Sequence, residues 1–329
     1  MKPVTIAVIV IASLFALIIV LMLVFNYFLS RLFKKRNEPD KRFKFLSLND
    51  YPGLKMEDVY TDSVYKVKLH GGIFSYDNEK YNGVIIFYHG YLSGYINYLN
   101  LINYFAKAGF IVVAFDMYGN YTSPGKSMKG FPVADKDNKQ IINFVKNHPT
   151  LKQYPLFTLG HSWGAHTALT SLIQDDLAIK KAVGLSPFNS NVDVVYSASS
   201  LLKVFSPILY LLNLFKFGHE STHSVISALK YTSADVLIYG GSNDQTVKSK
   251  YSYDKYLKTI KDNNLENVTL KILPNRKHFL YLSERGEEYF TKEISFPRRV
   301  GIDFEHLDYT LVNELDENIL QEIVNFLLK

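Results

Sequence analysis

Gly160-His161-Ser162-Trp163-Gly164 sets a serine between two glycines, where an apolar run at residues 154–159 meets a helix-forming stretch at 165–173. A serine on a sharp strand-to-helix turn is pushed out of its sheet with the hydroxyl exposed, and the glycines leave room for the strained backbone. Such a hydroxyl is a poor nucleophile until a base removes its proton. An imidazole held in one tautomer by a carboxylate can be that base. Two downstream positions qualify. Asp244 comes just past the apolar run 235–239, and His278 follows the run 268–273 and the loop Pro274-Asn275-Arg276-Lys277. In an open parallel sheet, groups that share a site lie beyond the carboxyl ends of the strands.

The chain has nine histidines. His161 flanks the serine, but its side chain is expected to point away from the turn and to pack. His89 is expected to shape the loop after residues 84–88. His70 closes an early apolar run, far upstream of the base position, and His148, His166, His219, His223 and His306 have no strand-end placement. Asp193 is the runner-up acid, just after the run ending near Leu185. Asp116 stands where an alkylated aspartate nucleophile would be, but the serine at the turn argues against that chemistry.

The elements that must position these groups are legible as alternating runs. Strands are expected at 64–69, 84–88, 110–115, 154–159, 181–185, 235–239 and 268–273, and helices at 95–108, 133–145, 165–173, 246–260 and 314–328. Continuous apolar strands alternating with helices indicate a parallel sheet covered on both faces.

With the chain order Ser162, Asp244, His278, the sequence resembles the α/β-hydrolase superfamily. It is most similar to the branch of serine aminopeptidases and monoacylglycerol lipases. Tyr88-His89-Gly90-Tyr91, Asp116-Met117-Tyr118-Gly119 with Ser123-Pro124-Gly125, the turn at 160–164, Gly241-Ser242-Asn243-Asp244-Gln245-Thr246-Val247 and His278 carry the resemblance. It implies an α/β-hydrolase fold, mostly parallel, with helices on both faces and a helical lid at about 189–233. It also implies two backbone donors for a developing oxyanion, the amides of Tyr91 and Trp163. Loss of one such donor costs about 10²–10³ in turnover. The lid stretch holds Leu201-Leu202-Lys203-Val204-Phe205 and Ile208-Leu209-Tyr210-Leu211-Leu212-Asn213-Leu214-Phe215, dense enough for a helix greasy on most sides. An ester substrate, small or lipid-like (a monoacylglycerol or lysophospholipid), is therefore expected, with no cofactor and no metal. The alternatives are an aminopeptidase, for which Glu220 is the main acid near the end of the lid, and a catalytically silent binding module. One departure stands out: about 35 residues, including Phe296-Pro297-Arg298-Arg299, separate His278 from the expected last helix.

The net charge of +6 is confined to one region. Residues 1–44 carry Lys2, Arg31, Lys34, Lys35, Arg36, Lys41, Arg42 and Lys44 against Glu38 and Asp40, which is the whole excess. The rest is balanced and gives no net positive charge for nucleic acid. There is no cysteine, so disulfides, thiolate metal sites and a cysteine nucleophile are excluded. Residues 4–29 are uncharged and nearly all apolar. As a helix they would be ~39 Å long, enough to cross a hydrocarbon core of ~30 Å. The run is too long for a signal peptide and has no small-residue cleavage site at its end. The basic flank after it places the C-terminal side in the cytoplasm by the positive-inside rule. The expected divisions are an anchor at 1–30, a polar, basic tether at 31–50 and the hydrolase-like domain at 51–329.

Overall fold

The computed structural model describes residues 2–175, 178–294 and 302–329, so the stretch Phe296-Pro297-Arg298-Arg299 lies outside the described residues. The chain begins with α1 (Pro3–Leu32), followed by β1 (Lys55–Asp62), β2 (Lys68–Ser75), β3 (Val84–Tyr88), α2 (Leu99–Lys107) and β4 (Ile111–Phe115). Next come α3 (Pro132–Asn147), β5 (Leu156–His161), α4 (Trp163–Asp175) and β6 (Ile179–Leu185). The lid region carries α5 (Asp193–Ala198) and α6 (Ser206–Phe217), and α7 (Val225–Tyr231) leads into β7 (Asp235–Gly241). The chain ends with α8 (Tyr253–Asn263), β8 (Val268–Leu273), α9 (Glu284–Glu293), α10 (Tyr309–Val312) and α11 (Glu317–Leu328).

Among the described residues the strands form one eight-stranded sheet in the order β1-β2-β4-β3-β5-β6-β7-β8. The pairs from β4 through β8 are parallel, while β1 and β2 pair antiparallel at one edge. Every residue of β3, β4 and β5 is buried, which is why β3 and β4 read as unbroken apolar runs. Their side chains alternate between two cores. Val84, Ile86 and Val113 face α3, α4, α7 and α8, whereas Ile85, Phe87 and Val112 face α2 and α11. A mostly parallel sheet in this strand order, covered by helices on both faces, agrees with the architecture expected from the sequence.

Three boundaries differ from expectation. The strand expected at 64–69 is a turn at 63–67 joining β1 to β2, with Lys66 at φ +59°. The turn is fixed by Asp137 Oδ1, which accepts from Ser63 Oγ (2.8 Å) and Val64 N (2.9 Å). Its apolar content reflects Tyr65, which packs on Tyr118, and not strand pairing. β1 escaped notice because only its alternate residues Val59 and Thr61 are buried. The helix expected from 246 begins at Tyr253, because the amides of Thr246 and Val247 turn back to Asp244. The last helix begins at Glu317 and not at 314, capped by Asp316, whose Oδ1 accepts from Ile319 N (3.1 Å).

α1 is long and apolar enough to cross a membrane. Its window Pro3–Leu21 has a mean hydropathy of 3.2 and is not covered by the rest of the chain. α1 contacts α6, and its Asn26 borders one cleft with Leu209 and Leu212 of α6.

Candidate active site

Ser162 sits between β5 and α4 at φ +56°, a left-handed conformation that is strained for a residue with a side chain. The strain is held from both sides: Ser162 N donates to Leu185 O (2.8 Å), and Ser162 O accepts from His166 N (3.0 Å). Only glycine fits at 164, where a Cβ would stand 1.9 Å from Tyr88 O and 2.7 Å from His89 O. That close approach seats the serine turn on the loop leaving β3.

Asp244 and His278 come to the same place from the ends of β7 and β8. His278 Nδ1 lies 2.7 Å from Asp244 Oδ2, and His278 Nε2 lies 2.8 Å from Ser162 Oγ. An ionised carboxylate only accepts, so Nδ1 carries the proton and Nε2 is left to accept from the serine hydroxyl. Asp244 is itself held: Oδ1 accepts from Thr246 N and Val247 N (both 2.8 Å), and Oδ2 accepts from Tyr253 Oη (3.3 Å).

The histidine loop has a second set of supports that the sequence did not disclose. His278 O accepts from Ser186 Oγ and from His161 Nε2, each at 2.9 Å. On either side of His278, Lys277 N and Phe279 N donate to the two oxygens of Glu287 (3.0 and 2.7 Å). Arg276 joins Glu287 (2.9 Å) and Asp316 (2.7 Å) and donates to the carbonyls of Leu280 and Leu282. Arg276 and Glu287 are both buried. Glu287 comes from α9, part of the stretch between His278 and residue 314 that the resemblance left without a role. A start signal was present there: Ser283, followed by Glu284 and Glu287, is an N-cap with acids in the first turn.

Other candidates fall elsewhere. Asp193 is bound to Asn189 (2.6 Å), Ser190 (2.9 Å) and Lys255 (2.5 Å), away from His278. Asp116 accepts from Tyr95 N, Thr122 N and Thr122 Oγ1, so its carboxylate ties two loops together. His89 shapes its loop by donating from Nδ1 to Gly90 O (2.9 Å) and accepting from Met117 N (3.0 Å). His161 packs against His278 and Tyr281, and its Nδ1 accepts from Tyr98 Oη (2.9 Å), which in turn accepts from Gly90 N (3.1 Å). Burial, with the His278 ring beside it, holds the His161 pKa well below the ordinary 6.5. Neutral His161 thus links the loop after β3 to the backbone of His278.

Trp163 opens α4, whose first amides have no acceptor within the helix. Its indole is buried and donates to Phe131 O (2.9 Å). Tyr91 follows Gly90 in the loop on which the serine turn rests, and its ring meets the Trp163 ring edge-on at 6.4 Å. A cleft of about 50 Å³ beside these aromatics is bordered by Asn26, Phe33, Phe131, Leu209, Leu212 and Phe217. Among the described residues no cluster of histidine and carboxylate side chains is arranged to hold a metal ion.

No curated protein matches the sequence. Solved structures do share the fold. An esterase from Pyrococcus furiosus aligns with 73% of this chain and 90% of its own, at 23% identity and a TM-score of 0.55. A fungal esterase from Rhizomucor miehei aligns with 87% of this chain and 84% of its own, at 17% identity and 0.56. A putative dipeptidyl aminopeptidase IV from Bacteroides ovatus aligns with 71% of this chain and 34% of its own, at 16% identity and 0.54. At these identities the likeness is one of fold. The sequence profile of the serine aminopeptidase S33 family matches residues 79–260, more than half of the chain, a span that includes Ser162 and Asp244 and stops short of His278. The chain belongs to the serine aminopeptidase S33 family, within the α/β-hydrolase superfamily.

Proposed function

We propose that this protein is a membrane-anchored serine hydrolase that cleaves carboxylic esters, lipid-like ones foremost, through an acyl-enzyme. The observation that carries the reading is the unbroken line of hydrogen bonds from Asp244 through His278 to Ser162 Oγ. Ser162 Oγ attacks the ester carbonyl as its proton passes to His278 Nε2. Asp244 holds the imidazole in the reactive tautomer and stabilises the imidazolium that forms. The amides of Tyr91 and Trp163 receive the oxyanion of the tetrahedral intermediate. His278 then protonates the departing alkoxide, so the alcohol leaves and Ser162 is acylated. Water attacks the acyl-enzyme with His278 as base, which releases the acid and restores the serine.

The membrane part of the reading rests on α1 and the basic flank that follows it, with the catalytic domain on the cytoplasmic side. The lipid preference rests on the lid. α6 buries Leu209 and Phe217 while leaving Leu211 and Phe215 exposed. We place the acyl chain in the cleft of about 50 Å³ that α6 borders: its wall Phe131 packs on Trp163 beside Ser162, and a long chain there requires α6 to move. Each methylene then buried contributes about 0.8 kcal/mol, enough for the pocket to rank chain lengths.

Purified full-length protein in detergent should turn over p-nitrophenyl acyl esters faster than aminoacyl p-nitroanilides, with kcat/KM changing along a series of acyl lengths. Faster turnover of the anilides would make the protein an aminopeptidase and reverse the assignment.

A further inference from the structure

The last residue of α1 and the five that follow it, 32–37, fall in the expected polar tether, and they are instead built into the wall of the catalytic domain. Phe33 is 7% exposed. Its ring packs edge-on against Tyr91 (5.6 Å) and Phe131 (4.9 Å). Leu32 O accepts from Tyr91 Oη at 3.0 Å. Lys35 O accepts from Met128 N (3.3 Å), and Arg36 donates to Ser123 O (2.7 Å) and to Tyr121 O. Asn37 is buried and pairs with residues 119–121 as a short parallel bridge: Asn37 N donates to Gly119 O (2.9 Å) and Tyr121 N donates to Asn37 O (2.8 Å). The Asn37 amide reaches Ser93 O (3.3 Å) and Asn120 Oδ1 (3.0 Å).

What these contacts grip is specific. Tyr91 and Ser93 belong to the loop leaving β3, residues 119–123 to the loop leaving β4, and Phe131 is the ring on which Trp163 packs (5.6 Å). Phe33 also borders the cleft closed by Leu209 and Leu212 of α6. A flexible tether would leave one charged residue after another in solvent. Here a cation and an amide are spent on main-chain carbonyls inside the fold, where unpaired groups would be costly.

We infer that the segment 32–37 is a positioning and specificity element of the active site. It clamps the Tyr91 loop at the geometry that oxyanion binding needs, and through Phe33 it sets one wall of the acyl cleft. The inference rests on the hydrolytic reading above and on the Tyr91 amide as an oxyanion donor. A misplacement of about 1 Å in such a donor is enough to cost about 10²-fold in rate. The membrane helix is thereby coupled to catalysis, since its last turn and the clamp are continuous backbone.

The test uses the full chain in detergent micelles, with p-nitrophenyl acetate and p-nitrophenyl octanoate as substrates and a fluorophosphonate probe of Ser162. Asn37→Ala should lower kcat on the acetate by about tenfold with KM within about twofold, and should slow probe labelling in step. Phe33→Ala should change the octanoate-to-acetate ratio of kcat/KM by about fivefold or more. Tyr91→Phe removes only the hydroxyl given to Leu32 and keeps the ring and the amide. It should lower kcat by about threefold, and it reports on the clamp even where the harsher variants fail to fold. Lys41→Ala, in the exposed part of the same linker, should match the wild type. An active wild type whose three clamp variants keep its kcat, labelling rate and chain-length ratio would overturn the clamp and leave the hydrolase reading intact. A wild type that neither turns over esters nor labels at Ser162 would overturn the hydrolase reading, and the clamp with it.

Discussion

His161 stands next to the candidate nucleophile in sequence and does no proton chemistry in the geometry. It is wedged between Tyr98 Oη and His278 O, one nitrogen accepting and the other donating, an arrangement only the neutral ring can make. Burial lowers the pKa of His89 as well. Unfolding returns both rings to the ordinary 6.5, so below that pH the unfolded chain binds more protons than the native one, and stability falls as acid is added. Above it both states are neutral at these rings and they contribute no slope. Asp137 works the other way. Burial raises its carboxyl from 3.8 to about 6, so in that window the native chain holds a proton that the unfolded chain has released. Burial lowers the His223 pKa too, and three imidazoles against one carboxyl leave a net loss on the acid side. Thermal unfolding should therefore move to lower temperature between pH 7.5 and pH 5.5, and His161→Gln, which keeps a donor for His278 O, should flatten that dependence. A wild-type Tm that does not change across the interval would contradict the neutral-ring assignment.

Helix α9 changes the meaning of the insertion after His278. The family resemblance gave it no role. In the structure its Glu287 holds the amides on both sides of His278, while Arg276 locks that carboxylate to Asp316 at the head of α11. The base loop is thus braced from below by two helices that contribute nothing to the reacting atoms. Glu287→Gln leaves Arg276 its ion pair with Asp316 but replaces one of the two acceptors facing the amides of Lys277 and Phe279 by a donor, and a buried amide left unsatisfied costs about 1–3 kcal/mol. Glu287→Gln should lower stability by an amount in that range. It should also reduce kcat by about tenfold with little change in KM, because the ring is misplaced more than the substrate pocket is. A Glu287→Gln enzyme with wild-type kcat would make α9 a packing element only.

The same elements show what could be read from sequence. Strands buried on both faces, such as β3 and β4, declare themselves because every residue is apolar. The edge hairpin β1–β2 does not, since most of β1 faces solvent and the apolar turn between the strands imitated a strand. Ser162, Asp244 and His278 could be found because strand exits are where an open parallel sheet gathers its chemistry. Glu287 and Asn37 could not, because both act on backbone groups whose partners are far away in the chain, and no local pattern records such a pairing. The basic stretch after α1 was misleading for a related reason. Charge composition describes a solvated tether, whereas Arg36 and Asn37 place their polar groups on carbonyls of the fold.

The molecule as a whole is a sheet that delivers three groups to one rim and an N-terminal helix, long and apolar enough to cross a membrane, whose exit is built into one side of that rim. The chain segments bearing Ser162, Asp244 and His278 leave β5, β7 and β8, and two continuous cores on opposite faces of the sheet fix where those exits point. Convergence of the triad is therefore a property of the whole packed sheet. The most direct test of the account is the intact mass of the full-length protein after exposure to a fluorophosphonate, with the modified peptide sequenced. The account predicts a single adduct on Ser162, absent from Ser162→Ala and slowed by at least about 10³-fold in His278→Ala. An adduct that persists in Ser162→Ala, or a wild type that stays unmodified, would contradict it.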